Sequence, residues 1–124
     1  MNTIKLKGTD DTPGVTLDIE NNIFEISGRS MPEDVSEFYQ PILDWIDTEM
    51  KKYKDKIVFA FKMNYFNTAS SKLLLDILIR LEKMVANGQD VSVHWYYDED
   101  DEDMMEAGEE YAEIVEVPFE IKVN

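Results

Sequence analysis

Between Tyr65 and Leu78 the chain reads YFNTASSKLLLDIL, and four hydroxyl or amide side chains, Asn67, Thr68, Ser70 and Ser71, gather where an apolar run passes into a helical pattern. Two kinds of chemistry suit such a cluster. The first turn of a helix leaves backbone N–H groups unbonded, and an Asn or Thr at the N-cap accepts from one of them. Those N–H groups and the positive end of the helix dipole also favour negative charge, so a hydroxyl placed there tolerates a phosphate. Capping and phosphorylation are compatible roles for one residue, and the residues alone favour Thr68 and its neighbours as the cap. Lys62 and Lys72 flank Thr68 in sequence and read as ordinary solvated lysines, with the holding of a phosphate as the alternative. Asn67, Ser70, Ser71 and Lys72 are the accompanying candidates for contact with a partner protein.

The other chemistry-bearing residues point elsewhere. His94, the only histidine, stands in a strand pattern beside Trp95 and reads as a structural hydrogen-bonder. Asp44 with Asp47, and Asp76 with Glu82, read as solvated helix faces, because nothing beside them would split a carboxylate pair into acid and base. P-loop, GxGxxG and nucleophile-elbow patterns are absent. The run DEDDED from Asp98 to Asp103 fails as an EF-hand loop, since its sixth position holds Asp103 where the turn needs glycine. It reads as a solvated loop whose acids favour the N-terminus of a following helix. No metal site and no cofactor is expected. The alternative is a small-molecule-binding domain or an enzyme of unknown reaction, with a pocket around His94 and the aromatic run Trp95, Tyr96 and Tyr97.

Composition narrows the class. The 124 residues suit a single domain spanning 1–124, and a 44% hydrophobic content supplies a core. Twelve basic residues against 27 acidic ones give a formal net charge of −15, which disfavours nucleic acid as a partner. Between Asp98 and Glu116 there are eleven acidic residues and no Lys or Arg, so a charge-steered partner should be basic. No apolar run approaches the ~20 residues needed to span a bilayer, and MNTIKLKG has no apolar segment behind its lysines. With no cysteine for disulfide or thiolate chemistry, the expected address is cytoplasmic and membrane-free.

These residues need elements to hold them. Ile4 and Leu6 alternate with lysines, as Val15, Leu17 and Ile19 do with polar residues, and Phe24 and Ile26 repeat the pattern beyond Asn21-Asn22. Strands joined by a tight Asn-Asn turn follow, after a loop over Thr9 to Gly14. Ser30 and Glu33 stand at capping-box spacing before a helix faced by Val35, Phe38, Tyr39, Ile42, Trp45, Ile46, Met50 and Tyr53. Pro41 should bend or divide that helix. Ile57 to Phe61 are continuously apolar, which reads as a strand buried on both faces. A helix through Leu73 to Val85 should stop at Asn87-Gly88, with a strand from Val91, a short helix over Met104 to Tyr111 and a last strand over Val117 to Val123. The strand–helix–strand unit from Lys56 to Trp95 should be a right-handed crossover, so the fold class is α/β, a mixed sheet covered by helices with hairpin strands at its start.

The stretches SMPEDVSEFYQPILDWI from Ser30, FKMNYFNTASSKLLLDIL from Phe61 and HWYYDEDDEDMMEAGEEYAEIVEVPFEI from His94 resemble the SiaC family of regulatory phosphoproteins. The FYQP, YFNT and HWYYDEDDEDM elements are distinctive, and together the matches cover most of the chain. The resemblance implies a STAS-like domain, similar in fold to anti-sigma-factor antagonists. It also implies that Thr68, the threonine of YFNT, is a phosphorylation site, modified by a dedicated protein kinase and reversed by a PP2C-type phosphatase. The unphosphorylated form would bind and activate an effector, a diguanylate cyclase, in cyclic-di-GMP and biofilm signalling. That makes the chain a switch adaptor and not a catalyst.

Overall fold

In the computed structural model, which describes residues 3–124, six strands form one sheet in the order of the chain. They are β1 (Ile4–Leu6), β2 (Gly14–Asp18), β3 (Ile23–Ser30), β4 (Ile57–Phe66), β5 (Val91–Tyr97) and β6 (Phe119–Val123). Helix α1 (Val35–Thr48) links β3 to β4, α2 (Thr68–Ala86) links β4 to β5, and α3 (Glu102–Ile114) links β5 to β6. β1 to β3 pair antiparallel, and β3 to β6 pair parallel. The sheet is therefore mixed, as its sequence patterns predict.

Strand order decides where the helices lie. Crossovers of one hand that always step in one direction put every helix on the same face of the sheet. Burial agrees: Ile57, Phe59, Phe61 and Met63 of β4 are sealed, while the alternate Val58 and Ala60 are half-buried and Lys62 is exposed. This corrects the expectation that β4 is buried on both faces. The core lies between the helices and one sheet face, and includes Leu17, Phe24, Ile26, Ile46, Leu78 and Trp95.

The opposite face is polar. Register aligns Thr16, Glu25, Ala60, His94 and Glu120 in one row across it. His94 Nε2 meets Glu120 at 2.8 Å, and Lys62 meets Glu25 at 2.9 Å while lying 5.1 Å from the centre of the Tyr96 ring. Trp95 points into the core while Tyr96 lies on the open face, so the aromatic run lines no common pocket.

Three local expectations change. β2 and β3 are joined by the four residues 19–22 instead of a two-residue turn. Asn22 takes a left-handed φ of 56°, and the Asn21 amide donates to Asp18 at 2.7 Å, which holds that carboxyl below its usual range. Ser30 does not cap α1. A residue before proline is driven to extended backbone, so Met31 before Pro32 lets β3 run to Ser30, and Asp34 caps the helix by accepting from Glu37 N. Pro41 leaves α1 continuous, because it sits on the exposed side while Tyr39, Ile42, Trp45 and Ile46 anchor the helix to the core. At the far end of α2, Gly88 N bonds Val85 O and Gln89 N bonds Met84 O, with Gly88 at φ +94°, the left-handed stop expected at Asn87-Gly88.

Candidate functional site

The parallel strands β3, β4 and β5 deliver the N-termini of α1, α2 and α3 to one end of the sheet. At this end β4 hands over to α2 through Asn67. Its backbone is extended (φ −85°, ψ 175°), its N–H donates to Ser30 O at 3.1 Å, and its side chain accepts from Ser70 N at 2.8 Å. Asn67 is thus the cap. Thr68, expected to share that role, is the first helical residue instead, exposed, with no hydrogen bond to its hydroxyl among the described residues.

The neighbouring hydroxyls divide into different duties. Ser70 is fully buried and faces inward, so it offers nothing to a partner at the surface. Its hydroxyl donates to Ser30 O at 2.9 Å and accepts from Ser30 Oγ at 2.8 Å. With the Ser30 proton so committed, the 2.6 Å bond between Ser30 and Tyr39 must be donated by the phenol. Burial pushes the Tyr39 phenol up to about 12. This closed Ser30–Ser70–Tyr39 network ties β3, α1 and α2 together beneath the cap. Ser71 is half-buried, donating from Oγ to Thr68 O at 2.7 Å while its carbonyl accepts from Tyr111 of α3 at 2.8 Å.

The two flanking lysines separate as well. Lys62 is on the open sheet face and paired with Glu25. Lys72 is exposed on α2 one turn beyond Thr68, where residues four apart are neighbours. Beside it a groove of about 220 Å³ runs between α2 and α3, lined by Phe66, Leu75, Ala107, Tyr111 and Ile114. Ile114 is 59% exposed there. The acidic run borders the same end: Asp101 caps α3 by accepting from Met104 N at 3.0 Å, Glu102 and Asp103 fill its first turn, and Asp98 accepts from Asn124.

Sequence patterns thus place Asn67, Thr68 and Lys72 together at the surface but miss the buried network and the groove. A serine at a strand end and a tyrosine on the apolar stripe of α1 are the only local traces of that network.

Thr68 thus stands exposed at the start of α2, above the bonded Ser30–Ser70–Tyr39 network. The family model of the SiaC family regulatory phosphoproteins matches residues 6–124, and the chain belongs to that family. An uncharacterised protein of Pseudomonas aeruginosa (strain UCBPP-PA14) is 30% identical over 124 residues, spanning 100% of this chain and 98% of that protein. Apo-SiaC from P. aeruginosa superposes with a TM-score of 0.89 at 30% identity, over 98% of this chain and 99% of that one. A chain in the crystal structure of the P. aeruginosa diguanylate cyclase SiaD in complex with its activator SiaC superposes with a TM-score of 0.91, at 30% identity and with the same coverage. Among the described residues no helix is long and apolar enough to cross a membrane.

Proposed function

We propose that this chain is a cytoplasmic, non-catalytic phospho-switch adaptor: phosphorylation of Thr68 controls its binding to an effector, a diguanylate cyclase that the unphosphorylated form activates. A protein kinase and a PP2C-type phosphatase set the state of Thr68. The observation that carries this reading is the division of labour at the start of α2. Asn67 caps the helix and Ser70 braces it from below, so Thr68 is exposed and free to be modified without loss of fold. Membership of a family of regulatory phosphoproteins, and a similar protein that activates a cyclase, support the output.

The physics of the switch follows from the surroundings. A phosphate adds about −1.5 to −2 charges, which the first N–H groups of α2 and Lys72 accommodate in the free protein. Against a partner packed over the groove between α2 and α3, the same charge would be desolvated beside apolar side chains and the acidic start of α3. Binding is therefore lost while the fold survives. Phosphopeptide mass spectrometry of protein isolated from its own host should find phosphate on Thr68. Phosphate on Ser71 or elsewhere, with Thr68 unmodified, would refute the assignment.

A further inference from the structure

The free edge of β6 carries an unused backbone ladder. Val93 N donates to Pro118 O and Asn124 N to Tyr97 O, each at 2.8 Å, so the even-numbered residues of β6 turn their backbone groups toward β5. Those of Phe119, Ile121 and Val123 consequently point outward, and no further strand pairs there among the described residues. Such an edge is a template for strand addition. The opposite edge differs: β1 is only three residues long, with Lys7 directly behind it.

We propose that the β6 edge pairs antiparallel with β6 of a second copy of this chain, centred on Ile121, to give a two-fold dimer with a continuous sheet. The register follows from the sequence FEIKV. With Ile121 opposite itself, the outward N–H and C=O groups of Phe119, Ile121 and Val123 all meet partners. Glu120 then stands opposite Lys122 of the second copy, twice, in non-hydrogen-bonded positions where side chains approach most closely. On the helix-bearing face Phe119 meets Val123 of the second copy, and Val123 is 50% exposed in the single chain. Symmetric registers centred on Glu120 or Lys122 set like charges face to face. Only the Ile121 register matches charge and hydrogen bonds together.

Ala107, Glu110 and Ile114 of α3 face α2. Helical periodicity therefore turns Met105, Glu109 and Ala112 toward β6, and Met105 and Ala112 are half-buried. A five-residue seam is small for a stable interface and each chain carries a net charge of −15, so the dimer is weak and salt must screen its self-repulsion. The two-fold axis runs through the sheet and sends the two Thr68 sites to opposite ends, so this inference stands apart from the phospho-switch.

Sedimentation of the full chain from about 5 to 200 µM at ~150 mM salt tests it. Wild type should shift from monomer to dimer across that range. Glu120→Lys and Lys122→Glu should each weaken association about tenfold or more, and mixing the two should restore it, because the heterodimer again sets Lys against Glu at both positions. Val123→Lys, which leaves the Glu120–His94 bond alone, should weaken association too, and thermal melts establish that each variant is folded. A wild type that stays monomeric throughout, single variants that associate like wild type, or a mixture no better than its parts would overturn the proposal.

Discussion

Removing the Thr68 side chain should barely disturb the fold, because its hydroxyl makes no hydrogen bond among the described residues and the cap belongs to Asn67. In urea unfolding, Thr68→Ala should cost less than about 0.5 kcal/mol while Asn67→Ala costs roughly 0.5–2 kcal/mol. Equal losses would return Thr68 to the cap. Local pattern places the hydroxyl cluster at the helix start but cannot choose between adjacent candidates for one N–H. That choice is fixed by Asn67 N reaching Ser30 O across the sheet, a contact 37 residues back in the chain. The buried phenols make a second prediction. Tyr39 is pushed to about 12 and Tyr111 is also raised by burial, from an ordinary value of 10.0, so folding favours both neutral forms. Their contribution is complete below about pH 10, where the unfolded phenols are also neutral, and is lost as pH rises through the folded values. Urea midpoints should fall steeply between about pH 10 and 12, and Tyr39→Phe should flatten that fall. A slope unchanged by the substitution would contradict the buried assignment.

Elements were legible where a stop or alternation is local and opaque where a neighbour decides. Asn87-Gly88 ends α2 as read, β2 and β5 form where Val15, Leu17, Val91 and Val93 mark them, and the last strand begins at Phe119 instead of Val117. The spacing of Ser30 and Glu33 imitates a capping box, yet pairing with β4 keeps Ser30 in a strand. The apolar run of β4 looks doubly buried because Val58 and Ala60 are sheltered by adjacent strands, with no helix above them. The seat of α3 offers a sharp test. Gly108 sits on the Trp95 indole, where an added Cβ would come within 2.5 Å of Cδ1, and the indole N–H is held by Met104 O at 3.0 Å. Gly108→Ala should gain about 1 kcal/mol in helix propensity yet still destabilise the protein by roughly 1–3 kcal/mol through the clash. A raised melting temperature would show that α3 is not seated on Trp95.

For the molecule as a whole, the order β1-β2-β3-β4-β5-β6 is the fact that patterns along the chain could not supply. It leaves one sheet face bare and gathers three helix N-termini, Thr68 and the acidic run at one end. Five of the basic residues lie toward the other end: Lys51, Lys52, Lys54 and Lys56 before β4, with Lys83 near the end of α2. Under the proposed switch, a phosphate on Thr68 would add charge to a surface already rich in negative charge. The most direct test is a titration of the proposed effector, a diguanylate cyclase from the same host, with this protein, unphosphorylated and then stoichiometrically phosphorylated on Thr68, following both binding and cyclic-di-GMP synthesis. The unphosphorylated protein should bind and stimulate synthesis, and phosphorylation should weaken binding by at least about tenfold with the melting temperature nearly unchanged. Equal binding and stimulation by the two forms would contradict the account.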